Sequence, residues 1–133
     1  MGHVTLLLDT HCWIWLKFES TRLPSPLRRR LISNPAALVL SSASVIEIAI
    51  KHAAGKLKLD GTPADLVEAL LDDGVNPLPI TPAHAVQLGR LPARHRDPFD
   101  RLLVAQAIIE RLTVVSADPR VLAYDVRKID ARK

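Results

Sequence analysis

Short apolar runs alternate with longer, helix-like stretches along the whole chain. Three of these runs, at about 4–8, 37–40 and 112–116, are almost purely apolar and end at polar residues or turns. Runs of that length between helical patterns are typical of strands that are buried on both faces of a parallel sheet. The pattern therefore predicts an α/β fold around a short, mainly parallel sheet.

The stretches between these runs predict helices and minor strands. Helices are expected at about 11–18, 22–33, 43–54, 63–73, 82–89 and 98–111, with one further turn after Asp118-Pro119. Thr62-Pro63 and Thr81-Pro82 each pair a cap residue with a proline in the first helical turn, where the missing N–H costs nothing. The proline-rich segment 76–80 predicts a short edge strand or an extended link. The alternation over 125–129 predicts a last, half-exposed strand.

Length and composition bound the class of protein. The chain has 133 residues, 48% of them apolar, so we expect a single domain over residues 1–133. A domain of this size buries about two-thirds of its unfolded surface. Cys12 is the single cysteine, which excludes an internal disulfide and predicts a small buried hydrophobe in a reducing compartment. No apolar stretch approaches the roughly 18 residues of a membrane span, so we expect a soluble, cytoplasmic protein.

Four acidic residues stand out because each lies where an apolar run gives way to a turn or a new helix. They are Asp9, Glu47, Asp100 and Asp118. In an open parallel sheet, ligands bind outside the carboxyl ends of the strands, so these side chains are expected to meet at one edge. Carboxylates that crowd together repel one another unless hard cations neutralise them, and all-oxygen sites suit Mg²⁺ or Mn²⁺.

The balance of charged residues indicates a class of substrate. The chain has 18 Lys and Arg residues and 14 Asp and Glu residues, which gives a formal net charge of +4. A polyanionic partner is weakly favoured by that balance. Since a divalent ion held by carboxylates activates water for attack on a phosphodiester, hydrolysis of nucleic acid is the reaction that the pattern predicts.

The first two acids also have interpretations unrelated to metal binding. Asp9 could cap the helix at 11–18, a role worth about 1 kcal/mol. Ser44 and Glu47 have the spacing of a capping box, and Glu47 could also pair with Lys51 one turn later. Yet Glu47 lies among core-type neighbours, where a charge requires a partner and a cation would serve.

The acids in the second half of the chain raise the same alternative. Asp97 precedes a proline and is interpreted as a helix cap, whereas Asp100 falls in the first helical turn and gains from the helix dipole. Asp118 also precedes a proline, so capping remains an open alternative for it. A metal site is favoured by the conjunction of acids at successive positions along one sheet edge of a basic chain.

The residues around these acids also resemble a known family. Sequence blocks in the same order cover nearly the whole chain and are similar to those of PIN-domain ribonucleases of the VapC toxin type. The matching blocks are Leu7-Leu8-Asp9-Thr10-His11, Ser41 to Lys51, Gly55-Lys56-Leu57, Leu91-Pro92, His95 to Ala107 and Val115 to Pro119. The His-x-Asp-Pro-Phe-Asp-Arg block is quite specific. Many relatives carry a tryptophan where this chain has Ile46, a departure that concerns packing.

The resemblance implies a fold, a cofactor and a set of partners. The expected fold is a three-layer α/β/α domain around a short parallel sheet. The implied catalytic residues, which would also bind Mg²⁺ or Mn²⁺, are Asp9, Glu47, Asp100 and Asp118. The resemblance also implies cleavage of RNA by a homodimeric toxin that a cognate antitoxin silences. Second-tier candidates for the site are Asp97, Thr10 and His11.

A basic group beside the expected site is a candidate for RNA binding. It comprises Arg94, His95, Arg96 and Arg101. These side chains would hold RNA phosphates, unless they belong to a merely solvated loop. His11 could likewise hydrogen-bond a phosphate, although a histidine at a helix start is more often structural.

Two other functions remain open. One is a different metal-dependent phosphoryl-transfer enzyme, such as a phosphatase with a nucleophilic aspartate at the end of its first strand. His11 argues against it, because the phosphatases of that kind carry a second acid at this position. The other is a non-catalytic module that binds nucleic acid or protein through a basic surface and never cleaves it.

Overall fold

Five parallel strands form a sheet at the centre of residues 5–133, the part of the chain that the structure, a computed structural model, describes. In chain order the strands are β1 (Leu6–Leu8), β2 (Leu38–Ser41), β3 (Asn76–Leu78), β4 (Thr113–Ser116) and β5 (Lys128–Asp130). They pair in the order β3-β2-β1-β4-β5, and every pairing is parallel. The predicted strand at 4–8 corresponds to β1, and its residue Val4 lies outside the described residues.

Helices connect these strands. In chain order they are α1 (Thr10–Phe18), α2 (Ser25–Ser33), α3 (Ser42–Ala53), α4 (Pro63–Asp72), α5 (Pro82–Arg90), α6 (Pro98–Glu110) and α7 (Pro119–Leu122). Single 3₁₀ turns at Ser20–Arg22 and Pro35–Ala37 precede α2 and β2. The predicted starts of α4 and α5 are confirmed, since Thr62 and Thr81 each cap a helix whose first residue is proline.

The strands alternate their side chains between two hydrophobic layers. Leu6 and Leu8 pack in one layer with Trp13 of α1, whereas Leu7 packs in the other with Val104 of α6. Each of these side chains is buried. Because successive side chains of a strand point to opposite faces of the sheet, helices cover both faces. The predicted three-layer α/β/α architecture is confirmed.

Two predicted elements begin elsewhere in the structure. α2 begins at Ser25 rather than near residue 22, because Leu23 precedes a proline and the residue before a proline disfavours the α conformation. The last strand spans Lys128–Asp130 rather than 125–129. The N–H of Val126 donates to the carbonyl of Tyr124 at 3.0 Å, and this turn delays the start of the strand.

Two smaller predictions are confirmed. β3 is an edge strand and accommodates Pro77, as expected of the proline-rich segment. Cys12 is a free, buried cysteine. Among residues 5–133, no helix is long and apolar enough to cross a membrane.

The strand order creates a crevice beside the central strand. From β1 the chain moves to β2 and β3 on one side, and it later returns to β4 on the other side. In open parallel sheets, ligands bind at such a reversal, outside the carboxyl ends of the strands. Asp9 directly follows β1, and its N–H donates to the carbonyl of Val115 in β4 at 3.0 Å. The first of the predicted acids therefore lies at the reversal.

Candidate metal centre

Asp9 lies at the carboxyl end of the central strand and is 3% exposed. Its Oδ1 accepts a hydrogen bond from the N–H of Cys12 at 2.8 Å and so caps α1, while its Oδ2 accepts one from the hydroxyl of Ser116 at 2.5 Å. Burial raises the pKa of Asp9 above its ordinary value, and the hydrogen bonds from Ser116 and Cys12 oppose that rise. The same carboxylate therefore caps a helix and lies at the sheet edge.

Glu47 lies in the second turn of α3 and is 2% exposed. Its Oε2 accepts a hydrogen bond from the ammonium of Lys51 at 2.5 Å, which confirms the ion pair that the sequence spacing allowed. Within the described part of the chain, the buried Oε1 of Glu47 has no hydrogen-bond partner. A buried carboxylate oxygen without a donor costs free energy, so a cation at this atom would stabilise the fold.

The capping-box interpretation of Ser44 and Glu47 is wrong. α3 is capped by Ser41, whose hydroxyl oxygen accepts the N–H of Ala43 at 2.9 Å. Ser44 lies inside the helix, and its hydroxyl accepts a hydrogen bond from that of Thr10 at 3.0 Å. Neither Ser44 nor Glu47 therefore caps the helix, so capping does not explain why Glu47 is buried.

The start of α6 brings two more acids to the same edge. Asp97 caps α6, because its Oδ1 accepts the N–H groups of Phe99 at 2.8 Å and of Asp100 at 3.1 Å. The side chain of Asp100 is 16% exposed. Burial raises the pKa of Asp100 to about 6. The charges of three neighbouring acids, Asp97, Asp9 and Glu47, add to that rise.

His95 connects Asp100 with Asp118. Its Nδ1 accepts the N–H of Asp97 at 3.3 Å, which assigns the ring proton to Nε2. Nε2 donates to Oδ2 of Asp100 at 2.8 Å and lies 3.5 Å from Oδ2 of Asp118. A nitrogen that carries the ring proton has no lone pair for a metal ion. His95 therefore orients the two acids and does not join them as a ligand in this arrangement.

Asp118 lies at the rim of the site, with 24% of its side chain exposed. Arg120 contacts both of its oxygens, from Nε to Oδ1 at 3.2 Å and from Nη2 to Oδ2 at 3.1 Å. Burial alone would raise the pKa of Asp118, but the hydrogen bonds from Arg120 outweigh burial and hold that pKa below its ordinary value. The N–H of Asp118 donates to the hydroxyl of Ser116 at 3.0 Å, so one serine connects Asp118 with Asp9.

The acids share one edge of the sheet but do not all lie within contact distance of one another. Among the described residues, ligand atoms of His95, Asp100 and Asp118 lie within 4.8 Å of one another. Asp9 and Glu47 are close enough to raise the pKa of Asp100 but lie outside that tight group. Asp100 therefore belongs to the tight group with His95 and Asp118 and also lies near Asp9 and Glu47.

The second-tier candidates occupy different positions. Thr10 is buried, and its hydrogen bond to Ser44 joins α1 to α3. His11 is exposed, and its ring centroid lies 6.2 Å from that of Trp15. Burial dominates the pKa of Asp9, and the charge of His11 opposes the resulting rise. Thr10 therefore serves the contact between helices, while His11 stands at the surface beside the acidic edge.

The structure divides the basic group that was expected to bind RNA. Arg94 and Arg96 are exposed. His95 is 7% exposed, because its ring is held between acids. Arg101 is half-buried and donates from Nη2 to the carbonyl of Leu88 at 3.3 Å, which joins α6 to α5. Of the four residues predicted to bind RNA, Arg94 and Arg96 are therefore exposed, whereas His95 and Arg101 make contacts inside the protein.

Two residues of the site were not singled out in the sequence. Ser116 ends β4 and bridges two acids through its hydroxyl, and Arg120 neutralises Asp118. The only signal for Ser116 was its place at the carboxyl end of a buried run, two residues before Asp118. Arg120 followed Asp118 closely, but a surface arginine near an acid is too common to predict a role.

Comparison with known families is consistent with this geometry. The family model described as PIN domain matches residues 6–127. The chain belongs to the PIN domain family. The resemblance in its sequence blocks is thereby confirmed at the level of the family. PIN domains are generally nucleases, and the acidic edge suits an enzyme of that class.

Solved structures share the fold of this PIN domain. DNA-bound VapBC from Salmonella typhimurium matches with a TM-score of 0.71 and 21% identity, over 96% of this chain and 98% of that one. VapBC2 from Rickettsia felis, bound to a promoter DNA fragment, matches with a TM-score of 0.72 and 14% identity, also over 96% of this chain and 98% of that one. A toxin–antitoxin complex from Klebsiella pneumoniae matches with a TM-score of 0.65 and 15% identity, over 96% of this chain and 98% of that one. Identities this low show the fold alone. None of the curated proteins matches the chain in sequence.

The donor set of this PIN domain fits a hard divalent ion. Asp9, Glu47 and Asp100 offer carboxylate oxygens, the ligands that Mg²⁺ and Mn²⁺ prefer. In residues 5–133, Oε1 of Glu47 is a buried acceptor that lacks a donor. Burial raises the pKa of Asp100, and the charges of neighbouring acids add to the rise, so the ionised carboxylate is disfavoured at this edge. A bound cation would relieve both conditions.

The first prediction concerns Asp100 in metal-free protein. Its pKa is about 6 in the fold against an ordinary value of 3.8, so folding favours the protonated carboxyl. The stability that this group contributes is complete below about pH 4 and is lost as the pH rises through about 6. Asp100→Asn keeps the shape and an acceptor for His95 but removes the charge. At about pH 7.5 with a chelator, the variant should have a free energy of unfolding on the order of 2 kcal/mol higher than that of the wild type.

Urea denaturation at several pH values measures this difference, which should shrink towards zero at about pH 4. Asp72→Asn, at an exposed aspartate of α4, is the control for the loss of one surface charge. An Asp100→Asn variant that is less stable than the wild type at neutral pH without metal would contradict the electrostatic account of this residue.

The second prediction concerns metal binding. Mn²⁺ or Mg²⁺ should raise the melting temperature of the wild type, since a ligand that binds only the folded state stabilises it by about 2.7 kcal/mol at 100 times its Kd. Glu47→Gln should reduce this stabilisation strongly, and Asp72→Asn should leave it unchanged. Differential scanning fluorimetry over a metal titration provides the measurement. Equal shifts for wild type and Glu47→Gln would exclude the assigned site.

Proposed function

We propose that this PIN domain is a Mg²⁺- or Mn²⁺-dependent endoribonuclease of the VapC type, the toxin of a toxin–antitoxin pair. The proposal covers residues 1–133 as one domain that acts on RNA in the cytoplasm, with Asp9, Glu47, Asp100 and Asp118 as its metal-binding and catalytic acids. The family match supports nuclease activity in general. The choice of RNA as substrate, of the ion and of these acids is the finer part of the proposal.

One observation supports the proposal most strongly. Acids from four separate segments reach one sheet edge, and the most deeply buried of them, Glu47, has an oxygen without a donor within residues 5–133. Such an arrangement is costly for a fold that gains nothing from it, because buried like charges repel. When bound at these residues, a divalent ion would supply Lewis-acid chemistry that favours hydrolysis of a phosphodiester.

The side chains of the chain have distinct tasks in this proposal. Asp9, Glu47 and Asp100 would hold the ion, the first two from buried positions and the third from the start of α6. His95 keeps Asp100 oriented through the hydrogen bond from Nε2. Asp118 lies nearer the solvent, where it completes the acidic edge beside the substrate. Asp97 supports this arrangement indirectly, since it caps the helix that carries Asp100.

RNA would approach from the exposed side of this edge. Arg94 and Arg96 are the exposed members of the basic group, and their exposure supports a role in contacting phosphates. The net charge of +4 also favours a polyanionic substrate. Since the bases of a single strand carry the sequence information in RNA recognition, these arginines supply affinity and not sequence choice.

An antitoxin and a second copy of the chain are the proposed protein partners. The similar structures include VapBC assemblies and a toxin–antitoxin complex, which supports an antitoxin for this chain. Exposed apolar side chains on α3 supply contact area for partners, for example Ile46 at 42% exposure and Ile50 at 55%. Ile46, which stands where many relatives carry a tryptophan, therefore lies at this surface and not in the core.

The third prediction tests RNA cleavage directly. Wild-type protein incubated with total cellular RNA and Mg²⁺ should produce defined cut ends, which sequencing of 5′ ends would map. A chelator should abolish these cuts. Asp9→Asn should lower cleavage to background, because it removes a charge from the ion's ligands while an amide oxygen still accepts the N–H of Cys12 and caps α1.

The control variant is again Asp72→Asn, which should cleave like the wild type. Circular dichroism should show that Asp9→Asn keeps the fold. Full cleavage by Asp9→Asn would refute the assignment of this acid. Binding of RNA without cleavage under any metal condition would favour the alternative of a non-catalytic module.

A further inference from the structure

Lys51 is partly exposed to solvent and contacts one of the buried acids, Glu47. It lies in the last turn of α3, one turn after Glu47, and its Nζ is 2.5 Å from Oε2 of that residue. The side chain of Lys51 is 40% exposed, whereas that of Glu47 is 3% exposed. The ammonium therefore contacts the buried carboxylate from the open side of the acidic edge.

The charge of Lys51 compensates more than one acid. The hydrogen bond to Glu47 is the main cause of the raised pKa of Lys51, and burial opposes it. The charges of Asp97 and Asp100 also contribute to the rise. Lys51 thus lies in the combined field of the acids that surround the candidate metal centre, and it acts as a cationic counter-charge for them in the absence of an ion.

A divalent ion would compete with Lys51 for the same negative charge. The ion and the ammonium both gain from Glu47, and they repel each other when both are close to it. Since Oε1 of Glu47 has no partner among the described residues, the carboxylate can accept an ion without first losing the lysine. Once the ion supplies the positive charge, however, the attraction that holds the ammonium at Oε2 is weaker.

The released ammonium would have a clear ligand. Lysine carries a compact, strongly hydrated charge on a flexible stem and binds phosphate as a point charge. The nucleic-acid backbone supplies phosphates at regular intervals, and contacts to them position a strand without reading its sequence. The position of Lys51 beside the candidate centre would direct such a contact to a phosphate near the bond that is cleaved.

We propose that Lys51 is a phosphate-binding residue of this site, which pairs with Glu47 in the metal-free protein and turns to a phosphate of the bound strand when a divalent ion occupies the acids. This inference rests on the proposed function, because it assumes an ion and a nucleic-acid substrate. It assigns to Lys51 a role that the i,i+4 ion pair alone does not include.

The exchange leaves a signature that separates it from a purely structural ion pair. Removing the charge of Lys51 removes a competitor of the ion and a contact of the phosphate at the same time. Metal affinity should therefore rise while affinity for the oligonucleotide falls. A lysine that only stabilises α3 would, on removal, weaken both forms of binding together.

The fourth prediction uses Lys51→Gln, with Lys51→Arg as the variant that conserves the charge and Lys58→Gln as the control at an exposed lysine. Isothermal titration calorimetry with Mn²⁺ should show binding at least about threefold tighter for Lys51→Gln than for the wild type. At saturating Mn²⁺, a mixed-sequence phosphorothioate oligoribonucleotide, which resists cleavage, should bind about fivefold or more weakly. Lys51→Arg and Lys58→Gln should stay near the wild type in both measurements.

A second measurement requires no variant. Acylation of lysines, followed by mass spectrometry of the wild type, should show slow reaction of Lys51 while Glu47 holds it. Saturating Mn²⁺ should make Lys51 more reactive, and the oligonucleotide should protect it again. Lys58 should be indifferent to Mn²⁺.

Two results would overturn the inference while the proposed function stands. They are a parallel loss of both affinities in Lys51→Gln, and a reactivity of Lys51 that Mn²⁺ leaves unchanged. A wild-type protein that binds no Mn²⁺ would overturn the proposed function, and this inference with it. The two failures are therefore distinguishable from the same set of titrations.

Discussion

Repulsion between carboxylates at one buried edge is the constraint on which the rest of this structure depends. Burial raises the pKa of Asp100 to about 6, and the charges of three neighbouring acids add to that rise. The surrounding side chains reduce this charge in different ways: Lys51 pairs with a buried oxygen, Arg120 neutralises the rim, and His95 and Ser116 donate hydrogen bonds. These contacts restrain the acids, yet they leave one buried acceptor of the edge unsatisfied within the described chain.

The fold provides this edge through the reversal of strand order beside β1. The helices α1 and α7 begin where β1 and β4 end, so their caps, Asp9 and Asp118, lie on one side of the sheet. The helix α6 follows α5 and not a strand, and its cap Asp97 lies near Asp100 at the same edge. Capping and metal binding are therefore not rival explanations. The helix N-termini stabilise negative charge and hold each carboxylate in a fixed orientation, which prepares the same groups for a cation. Under the proposed function, a fold that concentrates charge in this way would give up stability at neutral pH for the ability to bind an ion.

The sequence was sufficient for the features that depend on periodicity and position. Buried runs predicted the sheet, and the place of Asp9 and Asp118 after such runs predicted that they would share an edge. The sequence did not predict the contacts that depend on the direction of individual side chains. The spacing of Ser44 and Glu47 fits a capping box, but the helix begins earlier, at a serine that ends β2. The arginines beside His95 in the sequence indicated a basic rim, whereas the two ring nitrogens of His95 form hydrogen bonds inside the site.

The most direct test of the account is a crystal structure of the PIN domain soaked with Mn²⁺, with anomalous difference maps to locate the ion. The account predicts a strong peak in direct contact with carboxylate oxygens of Asp9, Glu47 and Asp100, and Lys51 turned away from Glu47. At saturating Mn²⁺, a map with no peak at this edge would contradict the central claim. A peak bound by His95 through a ring nitrogen, without Asp9 and Glu47, would contradict it as well.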